Sequence, residues 1–112
     1  MNHCFLMVQV LPAWLRLSRS ERNRLFESEV LSLLPKHPGV SLRHFDCEAY
    51  TALCSDVLML AVPDARALHF FVEALKDSAL ITEPYFEIRQ IIPAWEDGFR
   101  AYEAGQEPKV MP

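Results

Sequence analysis

Three signals along this 112-residue chain predict an α+β sandwich: strand-type alternation, helix-type spacing, and the prolines between them. In order they run strand, helix, strand, strand, helix, strand, with a short amphipathic helix after the last strand. Two strand–helix–strand units with right-handed crossovers give a four-stranded antiparallel sheet with both helices on one face. This is the ferredoxin-like βαββαβ arrangement, of the dimeric α/β-barrel type. One domain is expected over residues 1–104, its C-terminal helix at 93–103 and a tail at 105–112.

Residues 4–10 alternate, with Leu6, Val8 and Val10 on one side and Phe5, Met7 and Gln9 on the other; the period of two and the valines mark a strand. Pro12 ends it. Ser18 with Glu21 three residues on forms a capping box, and Phe26, Val30, Leu33 and Leu34 then share a helical face over 19–33. Pro35 stops that helix. A second strand at 40–46 sets Val40, Leu42, His44 and Asp46 against Ser41, Arg43 and Phe45. Residues 56–62 are apolar on both faces and belong in the middle of the sheet. Asp64 caps a helix over 65–77 with Ala65, Leu68, Val72 and Leu75 inward. Residues 85–92 make the last strand. Pro93 suits a helix's first turn, and Trp95, Phe99 and Tyr102 follow at i, i+4, i+7. The parallel between Leu11-Pro12-Ala13-Trp14 and Ile92-Pro93-Ala94-Trp95 reads as two similar strand exits.

At 51% hydrophobic and 23% charged, the composition is globular, and the net charge of −4 supplies no basic footprint for nucleic acid or anionic membrane. Cys4, Cys47 and Cys54 are odd in number, without CxxC spacing, and read as reduced thiols. The apolar run Cys4–Leu11 has no preceding Lys or Arg, so a soluble, cytoplasmic protein is expected. There is no GxGxxG, P-loop, GxSxG or His/Cys metal spacing; no cofactor or metal is implied. The apolar third strand lacks the aromatic, glycine-rich signature of an RNA-recognition module.

The run Pro84-Tyr85-Phe86-Glu87-Ile88-Arg89-Gln90-Ile91-Ile92-Pro93-Ala94-Trp95-Glu96-Asp97-Gly98-Phe99-Arg100 resembles the darcynin family of small bacterial proteins. Cys54-Ser55-Asp56-Val57-Leu58 and Phe71-Val72-Glu73-Ala74-Leu75-Lys76-Asp77-Ser78 carry the same likeness, which spans roughly residues 4–103. The resemblance implies a family without an assigned activity, so no catalytic residues carry over.

Helices on one face leave the other needing a cover. That open face is expected to carry Phe5, Met7, Arg43, Phe45, Tyr85, Glu87 and Arg89, as a homodimer interface or as a cavity for a small organic ligand. His44 and Asp46 share a strand face and have the makings of an oriented base pair; His44 or His69 is otherwise an axial haem ligand, and a hydrogen-bonded structural histidine is the plainer role. Asp56, entering a central apolar strand, needs a cationic or amide partner, with Arg43 or Arg89 the candidates. Cys47 and Cys54 bracket the connection between the second and third strands, as inert thiols or a redox pair. Arg16, Arg19, Arg22 and Arg24, interleaved with glutamates, read as a solvated face. The favoured function is a homodimeric binding or structural module. The alternative is a cofactor-independent oxygenase or isomerase, with Arg43 or Arg89 stabilising an enolate and His44 or Glu87 moving a proton.

Overall fold

The computed structural model describes residues 2–105, and the proposed tail beyond Gly105 lies outside them. Strand β1 (His3–Val10) is followed by a one-turn helix α1 (Pro12–Leu15), helix α2 (Arg19–Glu29) and a 3-10 segment (Leu31–Lys36). Strands β2 (Ser41–Asp46) and β3 (Asp56–Ala61) come next, then helices α3 (Ala65–Asp77) and α4 (Ala79–Thr82). Strand β4 (Phe86–Ala94) and helix α5 (Gly98–Glu103) complete the order. The sheet runs β2-β3-β1-β4, antiparallel throughout, as the sequence predicts.

Alternation decides the two faces. Cys4, Leu6 and Val8 of β1 and Leu58 and Leu60 of β3 are buried under the helices. Phe5 pairs with Met59 and with Ile92 on the opposite, open face. The helix layer grips this floor through α3, whose Leu68, Phe71, Val72 and Leu75 are buried at i, i+3, i+4, i+7. Phe71 occupies the inward position expected for Ala65, which is exposed; burying such a ring contributes about 2–3 kcal/mol. Both predicted caps form: Ser18 and Glu21 make the capping box, and Asp64 Oδ1 accepts from the Ala67 amide at 2.8 Å. Among the described residues no helix is long and apolar enough to cross a membrane.

Four expectations are corrected. Helix α2 ends at Glu29, because Pro35 lacks an N–H and its ring would clash with the carbonyl four residues back; the chain tightens into 3-10 turns instead. Pro93 does not open a helix. It continues β4 opposite Cys4, on an edge strand where a missing N–H is tolerated. The chain turns only at Asp97 (φ 53°), so α5 starts at Gly98 and Trp95 precedes it. The two Pro-Ala-Trp exits therefore differ, the first starting a helix and the second prolonging a strand. Tyr85 does not face the open side; it packs on the core, its ring 5.5 Å from that of Trp14.

Ser55 pins the sheet at its centre. Its hydroxyl accepts from the Val10 amide at 2.7 Å and donates to the Val8 carbonyl at 3.2 Å, while its amide bonds the same carbonyl at 3.1 Å. At 1% exposed, nothing else replaces these bonds. Ser55→Ala is expected to lower stability by about 1–3 kcal/mol, the cost of a stranded buried donor, read as a lower urea midpoint with unchanged m; an unchanged midpoint would show the hydroxyl to be idle.

Candidate functional site

The sheet's helix-side face carries a cavity of about 210 Å³. Val8, Leu58 and Phe86 form its floor; Trp14 of α1, Asn23 and Phe26 of α2, and Leu80 of α4 form its walls; His44 and Asp56 close one end. Each wall is locally fixed. Trp14 stands edge-on to Phe86, centroids 5.1 Å apart. Arg22 Nε and Nη2 donate to the carbonyls of Trp14 and Leu15 at 3.1 and 2.9 Å, clamping α1 to α2. Arg22 of the predicted solvated arginine face is thus a structural brace.

The polar end follows from strand register. Asp46 of edge strand β2 lies directly opposite Asp56 of β3, a repulsive pairing of like charges on one face. His44, two residues before Asp46 and on the same face, sets Nε2 2.6 Å from Asp56 Oδ2. Asp56 therefore finds its partner in His44, a cation when protonated, and neither Arg43 nor Arg89 reaches it. The bond to Asp56 raises the His44 pKa above its ordinary 6.5, outweighing partial burial, with smaller attractions to the charges of Asp56 and Asp46. His44 Nδ1 has no hydrogen-bond partner among the described residues, and the Phe26 ring lies 5.9 Å from the imidazole. An apolar chamber ending in an oriented imidazole, with Asn23 in its lining, can seat a small apolar molecule by one polar group. It can also move a proton. At about 210 Å³ it lies below the usual range of roughly 300–1,000 Å³ for ligand pockets, so its occupant must be small. His69 stands exposed on α3, beside Phe70.

The predicted site residues divide between the faces. Phe5, Met7, Arg43, Phe45 and Glu87 lie opposite to His44 and Asp56. Arg43 stacks over Phe45 at 5.3 Å. Phe5 and Arg43 line a shallow open-face groove with Met59 and Trp95, which does not extend to Met7, Phe45 or Arg89. Arg89 is the extra residue of a bulge in β4, where Met7 pairs with Gln90 but Val8 with Ile88. Its guanidinium bonds Glu87 at 3.2 Å and the Leu53 carbonyl at 2.9 Å, tying β4 to the loop after β2. Arg43 and His44 therefore do not meet in one pocket. Short-range sequence patterns do not mark Trp14, Asn23, Phe26, Leu80 and Phe86 as walls. The parity of His44 with the inward Leu42 was the one pointer toward them.

The dyad can be checked by titration. The His44 imidazole is expected to titrate above 6.5 by NMR and to fall toward 6.5 in Asp56→Asn. Because the folded-state value is raised, the stabilisation is complete below the unfolded-state pKa and is lost as pH rises through the folded one. The stability gap between the two proteins should thus shrink from pH 6 to pH 9, by under about 1 kcal/mol for so exposed a pair. A widening gap would contradict the assignment.

The comparisons with known proteins agree with this fold. Darcynin of Chromobacterium violaceum is 52% identical over 69 residues, covering 62% of this chain and 87% of that protein. A darcynin homologue of Streptomyces avermitilis is 32% identical over 106 residues, covering 93% and 85%. Among solved structures, chlorite dismutase from Candidatus Nitrospira defluvii (R173K mutant) superposes with a TM-score of 0.66 at 13% identity, over 81% of this chain and 38% of that one. The dimeric chlorite dismutase from Nitrobacter winogradskyi gives 0.61 at 14%, over 81% and 54%. The chain spans about two-fifths to half the length of these structures, and the likeness is one of fold alone. The model of the darcynin family, a domain of unknown function, matches residues 2–111, and the chain belongs to that family.

Proposed function

We propose that this protein is a homodimeric binding module for a small, largely apolar organic molecule bearing a carboxyl, carbonyl or acidic hydroxyl group. The ligand sits between sheet and helices with its polar group on His44, and the open sheet face meets a second copy. The observation that carries the reading is the 2.6 Å His44–Asp56 bond at the end of a chamber whose remaining walls, Asn23 apart, are apolar: Val8, Trp14, Phe26, Leu58, Leu80 and Phe86. An apolar wall with a few convergent polar groups is the usual make-up of a small-molecule site.

Support for the dimer is separate. Phe5, Met7, Phe45, Met59 and Ile92 leave an apolar surface across all four strands, with Phe45 and Ile92 both exposed. Arg43 stands at one sheet edge and Glu87 at the other, so a two-fold pairing of open faces can set opposite charges together. Trp95, Phe99 and Tyr102 are 45, 60 and 75% exposed, as a clasp toward another copy requires and core residues would not allow. The Nitrobacter winogradskyi neighbour is described as dimeric.

The same dyad favours a second reading, the cofactor-independent isomerase or oxygenase. His44 Nδ1 would take a proton from a carbon acid and Asn23 would donate to the enolate oxygen. Arg43, Arg89 and Glu87 have no part in it from the opposite face. Conversion of a bound ligand, lost in His44→Gln while binding persists, distinguishes this reading from simple binding.

The test uses benzoate and salicylate as probes of the chamber, with Trp95→Phe as the background so that fluorescence reports Trp14. Saturable quenching is expected, weakened tenfold or more by His44→Gln (about 1.4 kcal/mol) and by the chamber-filling Leu80→Phe. Linear, unsaturable quenching that both variants leave unchanged would overturn the ligand site. Light scattering should return a dimer mass, and Phe5→Asp a folded monomer, since an unpaired charge in that interface costs several kcal/mol; a monomeric parent protein would overturn the assembly.

A further inference from the structure

The loop from Cys47 to Cys54 closes on itself with its two thiols in contact. Cys47 Sγ and Cys54 Sγ lie 3.6 Å apart, and both cysteines are free. The backbone holds them there: the Cys47 amide donates to the Ser55 carbonyl at 2.9 Å, and the Tyr50 amide turns back onto the Cys47 carbonyl at 3.0 Å. Cys54 is buried and Cys47 half-buried, so a reagent meets Cys47 first. Cys4, the third thiol, is buried in the core.

The geometry points to Cys47 and Cys54 as a reversible disulfide site, oxidised by small disulfides and coupled to the His44–Asp56 dyad. In the first step the Cys47 thiolate attacks a low-molecular-weight disulfide, forming a mixed disulfide and expelling one thiolate. The Cys54 thiolate then attacks the Cys47 sulfur, forming the intramolecular bond and expelling the second. Two electrons leave the protein dithiol, the small disulfide becomes two thiols, and the two protein thiol protons pass to them. Bonding requires the sulfurs to close from 3.6 Å to about 2.05 Å. Cys54 adjoins Ser55, which is pinned to β1, so the movement falls on Cys47 at the end of edge strand β2. His44 lies three residues away on that strand, and its partner Asp56 lies two residues beyond Cys54. Closure therefore pulls on the short segments that join each cysteine to one half of the dyad. Any effect on ligand affinity rests on the proposed binding site, but the disulfide does not.

Burial and the neighbouring Cys54 thiol push the Cys47 pKa up to about 11, so closure is slow at neutral pH and quickens as the solution becomes more alkaline. The test incubates the whole protein with reduced and oxidised glutathione at pH 7 and pH 9, quenches with acid, and counts thiols by alkylation and intact mass. The expected product has lost 2 Da, with Cys4 alone alkylated. It should form at least tenfold faster at pH 9, revert with excess reduced glutathione, and be absent in Cys47→Ser and Cys54→Ser. The His44 imidazole resonance should shift on oxidation of the parent protein. Three alkylatable thiols, or a glutathione adduct on Cys47 that never resolves, would overturn the site. A disulfide that leaves His44 unmoved would overturn the coupling. Both are read without ligand, so they stand apart from failure of the binding site.

Discussion

The pairing of β1 with β3, clasped by Ser55, is the constraint on which the rest of the molecule depends. These two strands form the centre of the sheet, and their residues alternate between two unlike environments. The fully buried hydroxyl of Ser55 ties the start of β3 to the end of β1 through Val8 and Val10. A slip of one residue would send Asp56 to the open face and Val57 into the chamber. Register thus decides at once where the floor of the chamber lies, where the carboxylate sits, and which side chains are left on the open face.

Electrostatics adds a second consequence of that register. Asp46 and Asp56 face each other across β2 and β3, an arrangement that is costly unless a cation is shared. His44 offers it from the same face when protonated, and both carboxylates favour that protonated form. The outcome is a histidine held in one orientation beside an apolar chamber, positioned by backbone pairing. Across the sheet, Arg43 and Arg89 are engaged with Phe45 and with the Glu87–Leu53 contact, which leaves the chamber's chemistry to His44, Asp56 and Asn23.

Most of the fold was legible in the sequence because its signals are local. Alternation in β1, the Ser18–Glu21 box and the Asp64 cap each depend on residues within a few positions, and each forms as read. The failures are tertiary overrides. Pro93 suits a helix start by propensity, yet β1 extends far enough to keep the chain in the sheet through the bond from the Asn2 amide to the Ala94 carbonyl. Tyr85 has the parity of Glu87 but lies before β4 begins, so strand alternation does not govern it, and Trp14 draws it to the core. The open-face residues were found because they alternate. The chamber was not, because its walls come from α1, α2 and α4, whose approach to the sheet no short-range pattern encodes. The partner of Asp56 was misassigned for a related reason: an arginine is the stronger cation, but only His44 lies on the correct face.

The account turns on the two sheet faces having separate tasks, and methyl NMR of the protein titrated with salicylate tests this most directly. Val8, Leu58 and Leu80 line the chamber, while Met7 and Met59 lie on the opposite face. The account predicts that the Val8, Leu58 and Leu80 methyls shift in a saturable manner and that the two methionine methyls stay fixed. Saturable shifts at Met7 and Met59, with the chamber methyls unmoved, would contradict it.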